Sequence, residues 1–254
     1  MNNIDIMYKV IEIMTAMRLP VVFKGALVLN QALKGMGMTS NFRQTKDIDL
    51  NWLNGNVSNE ELTRSITEAI KVLGITDLRV ENTRKANIER DTSAGFSIKR
   101  GTTELFSFDI NLKDNPFTAV YTTNNGVSFL GSSLHKIFAD KVRSTSYVTL
   151  LRRSKDIYDL YIMCNISGYS IKNTLEIYEY ENKKLGEFDV FLRKIPDLAH
   201  AYNRLEGIPN KPSFDVVYRR VRDFCMPFIT GEYKNFVNET DGVWDANASI
   251  WIAV

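Results

Sequence analysis

The stretch Thr45-Lys46-Asp47-Ile48-Asp49-Leu50-Asn51-Trp52-Leu53 alternates polar and apolar side chains. A period of two marks a strand with one wet face and one dry face. It predicts that Ile48 and Leu50 face a core while Asp47 and Asp49 project together from the other side. Two carboxylates a few Å apart repel and raise one another's pKa unless a cation lies between them. Hard divalent ions take such oxygens, and Mg²⁺ combines carboxylates with substrate phosphates. The other reading of the pair is two solvated acids on an edge strand, because charged residues are mostly exposed.

The surrounding pattern supplies an α/β setting. Residues 4–17 carry Ile6, Val10, Ile13, Met14 and Met17 at helical spacing, and Pro20 ends that run. Val21-Val22-Phe23 reads as a short buried strand, and residues 26–33 as a helix punctuated by Gly35 and Gly37. Lys24-Gly25-Ala26 therefore joins a strand to a helix. A glycine there lets backbone amides approach a phosphate at the helix N-terminus, or simply makes a tight turn. Arg43, just before the acidic pair, is either a phosphate partner or a solvated loop arginine. Downstream, Ser58 and Glu61 form a capping box ahead of a helix that stops at Gly74. Strands are predicted near 76–82, 94–100 and 103–112, the last two joined at Arg100-Gly101, and another at 127–130 after Asn125-Gly126. In the 103–112 segment Ser107, Asp109 and Asn111 share one face. Asp109 is then a third carboxylate for a two-metal site, or an exposed strand acid.

From about residue 132 the pattern turns helical, with candidate helices at 132–144, 154–166, 171–184, 187–206 and 213–225. This divides the chain into an α/β domain, 1–131, and a mainly helical domain, 132–254. Lys141 lies seven residues after Leu134, in line with the apolar stripe of Leu134, Ile137 and Phe138. It either snorkels to solvent or has a function, as a phosphate neutraliser or a general acid. Ser154 reads as a helix N-cap with Asp156 in the first turn, which suits the helix dipole, and Asp159 shares a face with Asp156. Residues 136–155 hold Lys136, Lys141, Arg143, Arg152, Arg153 and Lys155 against the single acid Asp140, a candidate phosphate-facing strip. The segment after Gly231 has no clear pattern, although Trp244 and Trp251 argue against disorder.

Composition narrows the classes. The 254 residues include 32 Lys+Arg, 30 Asp+Glu and 44% hydrophobic residues, an ordinary globular balance. Two cysteines and two histidines exclude a disulfide scaffold, a zinc ribbon and a His-rich metal site, and fit a reducing cytoplasm. No apolar run approaches the length of a membrane span, so no membrane partner is expected.

Taken together, Phe23-Lys24-Gly25-Ala26-Leu27, Arg43-x-Thr45-x-Asp47-Ile48-Asp49, Lys141 and Lys155-Asp156-x-x-Asp159-Leu160-Tyr161 resemble the AbiEii/AbiGii-type nucleotidyltransferase toxins, the family that includes the MenT toxins. The likeness spans residues 20–165. It implies an α+β fold: a polymerase-β-like nucleotidyltransferase core, with a mixed sheet and flanking helices, followed by an α-helical C-terminal domain. It also implies a cytoplasmic toxin of a toxin–antitoxin or phage-defence pair, with an AbiEi-like winged-helix antitoxin. The implied activity transfers NMP from an NTP to RNA, tRNA acceptor ends in particular, with Mg²⁺ or Mn²⁺. By position, Asp47, Asp49, Lys141 and Asp156 match the catalytic set. Asp47, Asp49 and, more loosely, Asp109 match the metal-binding acids. Lys24, Gly25, Ala26, Arg43, Thr45 and Asp159 fall around the nucleotide. Ala26 departs from the family's Gly-Gly or Gly-Ser and removes one phosphate contact. Nucleotidyl transfer to a small molecule of the aminoglycoside kind, transfer of a γ-phosphate, and a non-catalytic nucleotide-binding module remain alternatives.

Overall fold

Asn3–Ala16 forms helix α1, opened by the Asn2 side chain, which accepts the Asp5 N–H at 2.9 Å. Its Ile6, Val10, Ile13 and Met14 are buried, as the helical spacing requires. The computed structural model of the chain describes residues 2–38, 42–53, 57–86, 93–236 and 240–254. After α1 come β1 (Val21–Lys24), α2 (Gly25–Gly35), β2 (Asp47–Trp52) and α3 (Asn59–Val72). Five strands follow: β3 (Leu78–Arg84), β4 (Ser93–Arg100), β5 (Thr103–Asn111), β6 (Thr118–Thr122) and β7 (Ser128–Ser132). Ser58 caps α3 by accepting the Glu61 N–H at 3.1 Å, the capping half of the predicted box.

The seven strands form one mixed sheet in the order β3-β4-β5-β2-β1-β7-β6. The β1–β7 and β2–β5 pairs are parallel and the others antiparallel. β2 therefore lies in the middle of the sheet, which overturns the edge-strand reading of the acidic pair. Ile48 and Leu50 are fully buried, while Asp47 and Asp49 are half-buried on the opposite face. Helix α2 packs on β1, β2, β6 and β7. Gly131 in β7 permits that approach, since a Cβ there would lie 2.9 Å from both Val28 and the Tyr121 ring. Strand β6 was not predicted. Its five residues follow Pro116, and it forms a hairpin with β7 through the Asn125-Gly126 turn, where Gly126 has φ +81°.

By its contacts the chain divides into two units, Met1–Thr39 with Gln44–Ser133, and Ser40–Arg43 with Leu134–Val254. The second holds α4 (Leu134–Thr145), α5 (Lys155–Met163), α6 (Ile171–Tyr180), α7 (Asp189–Arg193), α8 (Ile195–Asn203) and α9 (Phe214–Thr230). The single helix expected over 187–206 is two. Lys194, at φ −108° and ψ 40°, leaves the helical region, and Pro196 restarts it in the first turn of α8. The predicted helix at 213–225 runs five residues further as α9. Ser154 does not cap α5. It is itself helical, because a 3₁₀ turn over Val148–Arg153 leads straight into α5. The final segment folds into a hairpin of β8 (Gly242–Asp245) and β9 (Ile250–Ala253). It delivers Trp244, 1% exposed, and Trp251 into a cluster with Phe138, Tyr169, Phe224 and Phe228. Both indole N–H groups donate to carbonyls at 2.9 Å, Trp244 to Cys164 and Trp251 to Phe224, so burying the rings strands no polar atom. Among the described residues no helix is long and apolar enough to cross a membrane.

Candidate functional site

In the first unit the site grows from the β1–α2 turn. Lys24 is extended, and Gly25 turns into α2 with φ +73°, a conformation disfavoured for a residue with a Cβ. The antiparallel register places Asp49 opposite Lys24. The Asp49 carboxylate lies so close to the Gly25 α-carbon that a Cβ there would be 2.1 Å from Oδ2. Glycine is thus required twice, for its backbone angle and for the carboxylate beside it. The Lys24 side chain makes no cap hydrogen bond to α2, and the helix N-terminus carries a partial positive charge. Ala26 is buried.

Across the parallel β2–β5 pair, Asp47 lies opposite Ser107 and Asp49 opposite Asp109, so these four side chains share one face. Ser107 Oγ donates to Asp47 at 2.7 Å, and the Asp47 N–H donates to Thr45 Oγ1 at 3.2 Å. Thr45 therefore shapes the start of the strand. Asp109 accepts a hydrogen bond from Arg84 Nη2 at 2.7 Å in a pair with both side chains about half exposed. Among the described residues no three His, Cys, Asp or Glu side chains form a metal-sized cluster. Asp47 and Asp49 still suit a hard divalent ion, because Mg²⁺ needs only one or two carboxylates when phosphates complete its shell.

In the second unit four sequence-predicted residues meet in one buried network. Lys141 neither snorkels nor stands alone: its ammonium donates to Asp156 and, at 2.7 Å, to Asp159. Arg43 is not a solvated loop arginine. It is 8% exposed and grips Asp159 through Nε at 3.1 Å and Nη2 at 3.3 Å. Asp156 also accepts from Ser144 Oγ at 2.7 Å and Arg153 Nε at 2.8 Å. Burial pushes the Asp156 carboxyl up, but Lys141, Arg153 and the hydrogen bonds outweigh it and hold the group well below the usual carboxylate range. Burial likewise opposes the charge on Asp159, and Lys141 and Arg43 pull it down. Burial works against the Lys141 ammonium, yet the two carboxylates raise it above the ordinary lysine value. The lysine is therefore a fixed cation at neutral pH.

The basic strip of 136–155 is not a continuous surface. Lys136 is 4% exposed and bound to Asp140 at 2.6 Å and Glu181 at 3.1 Å, and Lys141 is buried as described. The sequence reading missed Ser107, Arg84, Ser144 and Arg153 as partners of the acids. Ser107 was legible as a same-face neighbour of Asp109. Ser144 and Arg153, each three residues from Lys141 or Asp156, carried only the weak signal of helical spacing.

The family model described as a nucleotidyl transferase AbiEii toxin of a type IV toxin–antitoxin system matches residues 15–227. The chain belongs to the AbiEii nucleotidyltransferase toxin family. As a member it is a nucleotidyltransferase, and the match covers β1, α2, β2 and the Lys141 network. No curated protein matches this AbiEii chain by sequence. Among solved structures it resembles MenT4, a nucleotidyltransferase toxin from Mycobacterium tuberculosis, with a TM-score of 0.55 and 12% identity. That likeness covers 92% of this chain and 86% of MenT4, and at this identity it is one of fold. The CdnE cyclic dinucleotide synthase of Elizabethkingia meningoseptica, solved with GTP and Apcpp, aligns over 92% of this chain and 76% of its own. Its 11% identity and TM-score of 0.25 describe no shared arrangement.

Proposed function

We infer that this AbiEii nucleotidyltransferase moves NMP from an NTP onto RNA, with the tRNA acceptor end as the target, as a toxin countered by an AbiEi-like antitoxin in phage defence. The observation that carries the reading is the Asp49 carboxylate seated against Gly25 at the N-terminus of α2, with Asp47 on the same face. An anion-binding helix end beside two carboxylates suits a polyphosphate delivered with a divalent cation. The α2 amides, with Lys24 and Gly25 at the turn, hold the phosphates. Asp47 and Asp49 would hold Mg²⁺ or Mn²⁺, with Ser107 fixing the Asp47 rotamer, and Asp109, now paired with Arg84, would be the third acid. A divalent ion in this place neutralises phosphate charge and favours a nucleophilic hydroxyl. The terminal hydroxyl of the acceptor attacks the α-phosphorus and gives its proton to solvent, a P–O bond forms, and the bond to the leaving pyrophosphate breaks. Lys141 supplies a fixed positive charge, and Asp156, Asp159 and Arg43 position it. Such chemistry depends mainly on placement and electrostatics.

The test is labelling of a total tRNA pool with α-³²P-NTP and γ-³²P-NTP in parallel, each base in turn. The α-label enters RNA, the γ-label does not, and Asp49→Ala abolishes transfer. Label entering a small molecule, γ-label entering RNA, or an undiminished Asp49→Ala enzyme would each refute the assignment. Asp109→Asn raises the Mg²⁺ concentration for half-maximal transfer about tenfold, as loss of a supporting ligand does.

A further inference from the structure

The two edges of the seven-stranded sheet differ in kind. β3 carries Arg79, Glu81 and Arg84, the charges that blunt an edge against other strands. β6 reads Thr118-Ala119-Val120-Tyr121-Thr122, with no charge and no proline within it. Its hydrogen-bonding direction is fixed by its flanks. Thr123 N–H donates to the Val127 carbonyl and Ser133 N–H to the Phe117 carbonyl, so Ala119 and Tyr121 face β7 and Thr118, Val120 and Thr122 face outward.

Two of the outward groups are already used. Thr118 N–H donates to the Pro116 carbonyl at 3.0 Å, and the Thr122 carbonyl accepts from Gln31 Nε2 at 2.5 Å. Among the described residues no partner reaches the Val120 N–H and C=O, the Thr118 C=O or the Thr122 N–H. Place a second β6 antiparallel to the first on a two-fold axis at Val120. Each Val120 N–H then meets the other copy's Val120 carbonyl, and each Thr122 N–H meets the other copy's Thr118 carbonyl. The groups left without a partner in this pairing are Thr118 N–H and the Thr122 carbonyl, the two that the fold has satisfied internally. The side chains agree. Thr118 falls opposite Thr122, a favourable cross-strand pair, and no like charges meet. Val120, 69% exposed, and its β7 neighbour Leu130, 36% exposed, extend into one apolar row across the axis.

We propose that β6 is a self-complementary edge through which two copies of this chain pair antiparallel, making one continuous sheet. The occupant is a second copy because the pattern of used and unused backbone groups is symmetric about Val120, which an unrelated strand would not require. A single short strand edge with a narrow apolar row covers less area than stable dimers bury, so the association is weak and concentration-dependent.

Small-angle scattering of the full chain from about 10 μM to about 500 μM measures it. The expected result is a rise from monomer toward dimer mass across that range. Val120→Lys puts two like charges face to face on the axis and weakens the dimer about tenfold or more. The Val120 side chain lies on the exposed face, so unchanged circular dichroism confirms that this variant is folded. A second variant needs no loss of binding to be informative. In Val120→Cys the paired α-carbons stand about 5.5 Å apart, within disulfide range, so mild oxidation gives a covalent dimer. The native Cys164 and Cys225 are both buried and give no such product. A wild-type chain that stays monomeric throughout overturns the proposal. So does a dimer that persists in folded Val120→Lys, or a Val120→Cys chain that does not cross-link.

Discussion

Replacing Gly25 with alanine tests the candidate site at its tightest point. The new Cβ would stand 2.1 Å from Asp49 Oδ2, well inside the 3.0 Å that real Cβ contacts essentially never go under. The carboxylate is the far end of a side chain rather than backbone, so it is displaced by about 1 Å rather than breaking the sheet. A misplacement of that size costs about 10²-fold in rate when geometry sets the barrier. The backbone strain is a separate matter: an alanine held at φ +73° costs about 1–2 kcal/mol. Gly101→Ala separates the two effects. Gly101 also has positive φ, at +59°, but among the described residues nothing beyond its chain neighbours lies within 4 Å of its Cβ position. Both variants should lose a few degrees of thermal midpoint, at about 2–4 °C per kcal/mol for a chain of this size. Only Gly25→Ala should lose about two orders of magnitude in α-³²P transfer. Equal activity in the two variants would refute the claim that the Gly25–Asp49 contact positions the acid.

Three further outcomes follow from the helical unit. Lys141→Met leaves Asp156 and Asp159 buried without their shared cation and should cost about 3–5 kcal/mol by denaturant titration, whereas Lys141→Arg should recover part of it. Asp156 and Asp159 titrate below the usual carboxylate range, so their stabilisation is complete above about pH 4 and is lost as pH falls through their depressed folded values. The contribution of these two acids to the thermal midpoint should be constant from pH 7 to about 4 and fall below about pH 4, with a shallower fall in Asp156→Asn. Trp244→Ala removes a buried ring and its hydrogen bond and should cost about 3–5 kcal/mol, read by urea unfolding.

The legible parts were those that local spacing controls. Alternation over 45–53 placed Asp47 and Asp49 on one face, because the side-chain period of a strand is independent of its neighbours. Whether that strand was central or at an edge depends on the pairing of β1 and β5 beside it, which alternation does not encode. Lys141 sat visibly on an apolar stripe, but its partners lie 15 and 18 residues away. The Arg43–Asp159 pair spans 116 residues, and no local pattern announces it. Strand β6 escaped because five residues flanked by Pro116 and polar loops offer too little alternation to count. The break at Lys194 was hidden by a helical apolar pattern on both sides of it.

The β8–β9 hairpin gives the chain an order of completion during synthesis. Every strand of the seven-stranded sheet has left the ribosome once residue 133 is out, so the unit bearing Asp47 and Asp49 can fold while synthesis continues. The helical unit cannot close at that stage. Phe138 and Phe224 wait for Trp244 and Trp251, which come later in the chain. The aromatic cluster is therefore completed only once residue 251 is out, and a product truncated before it would carry the acidic face without a finished helical unit.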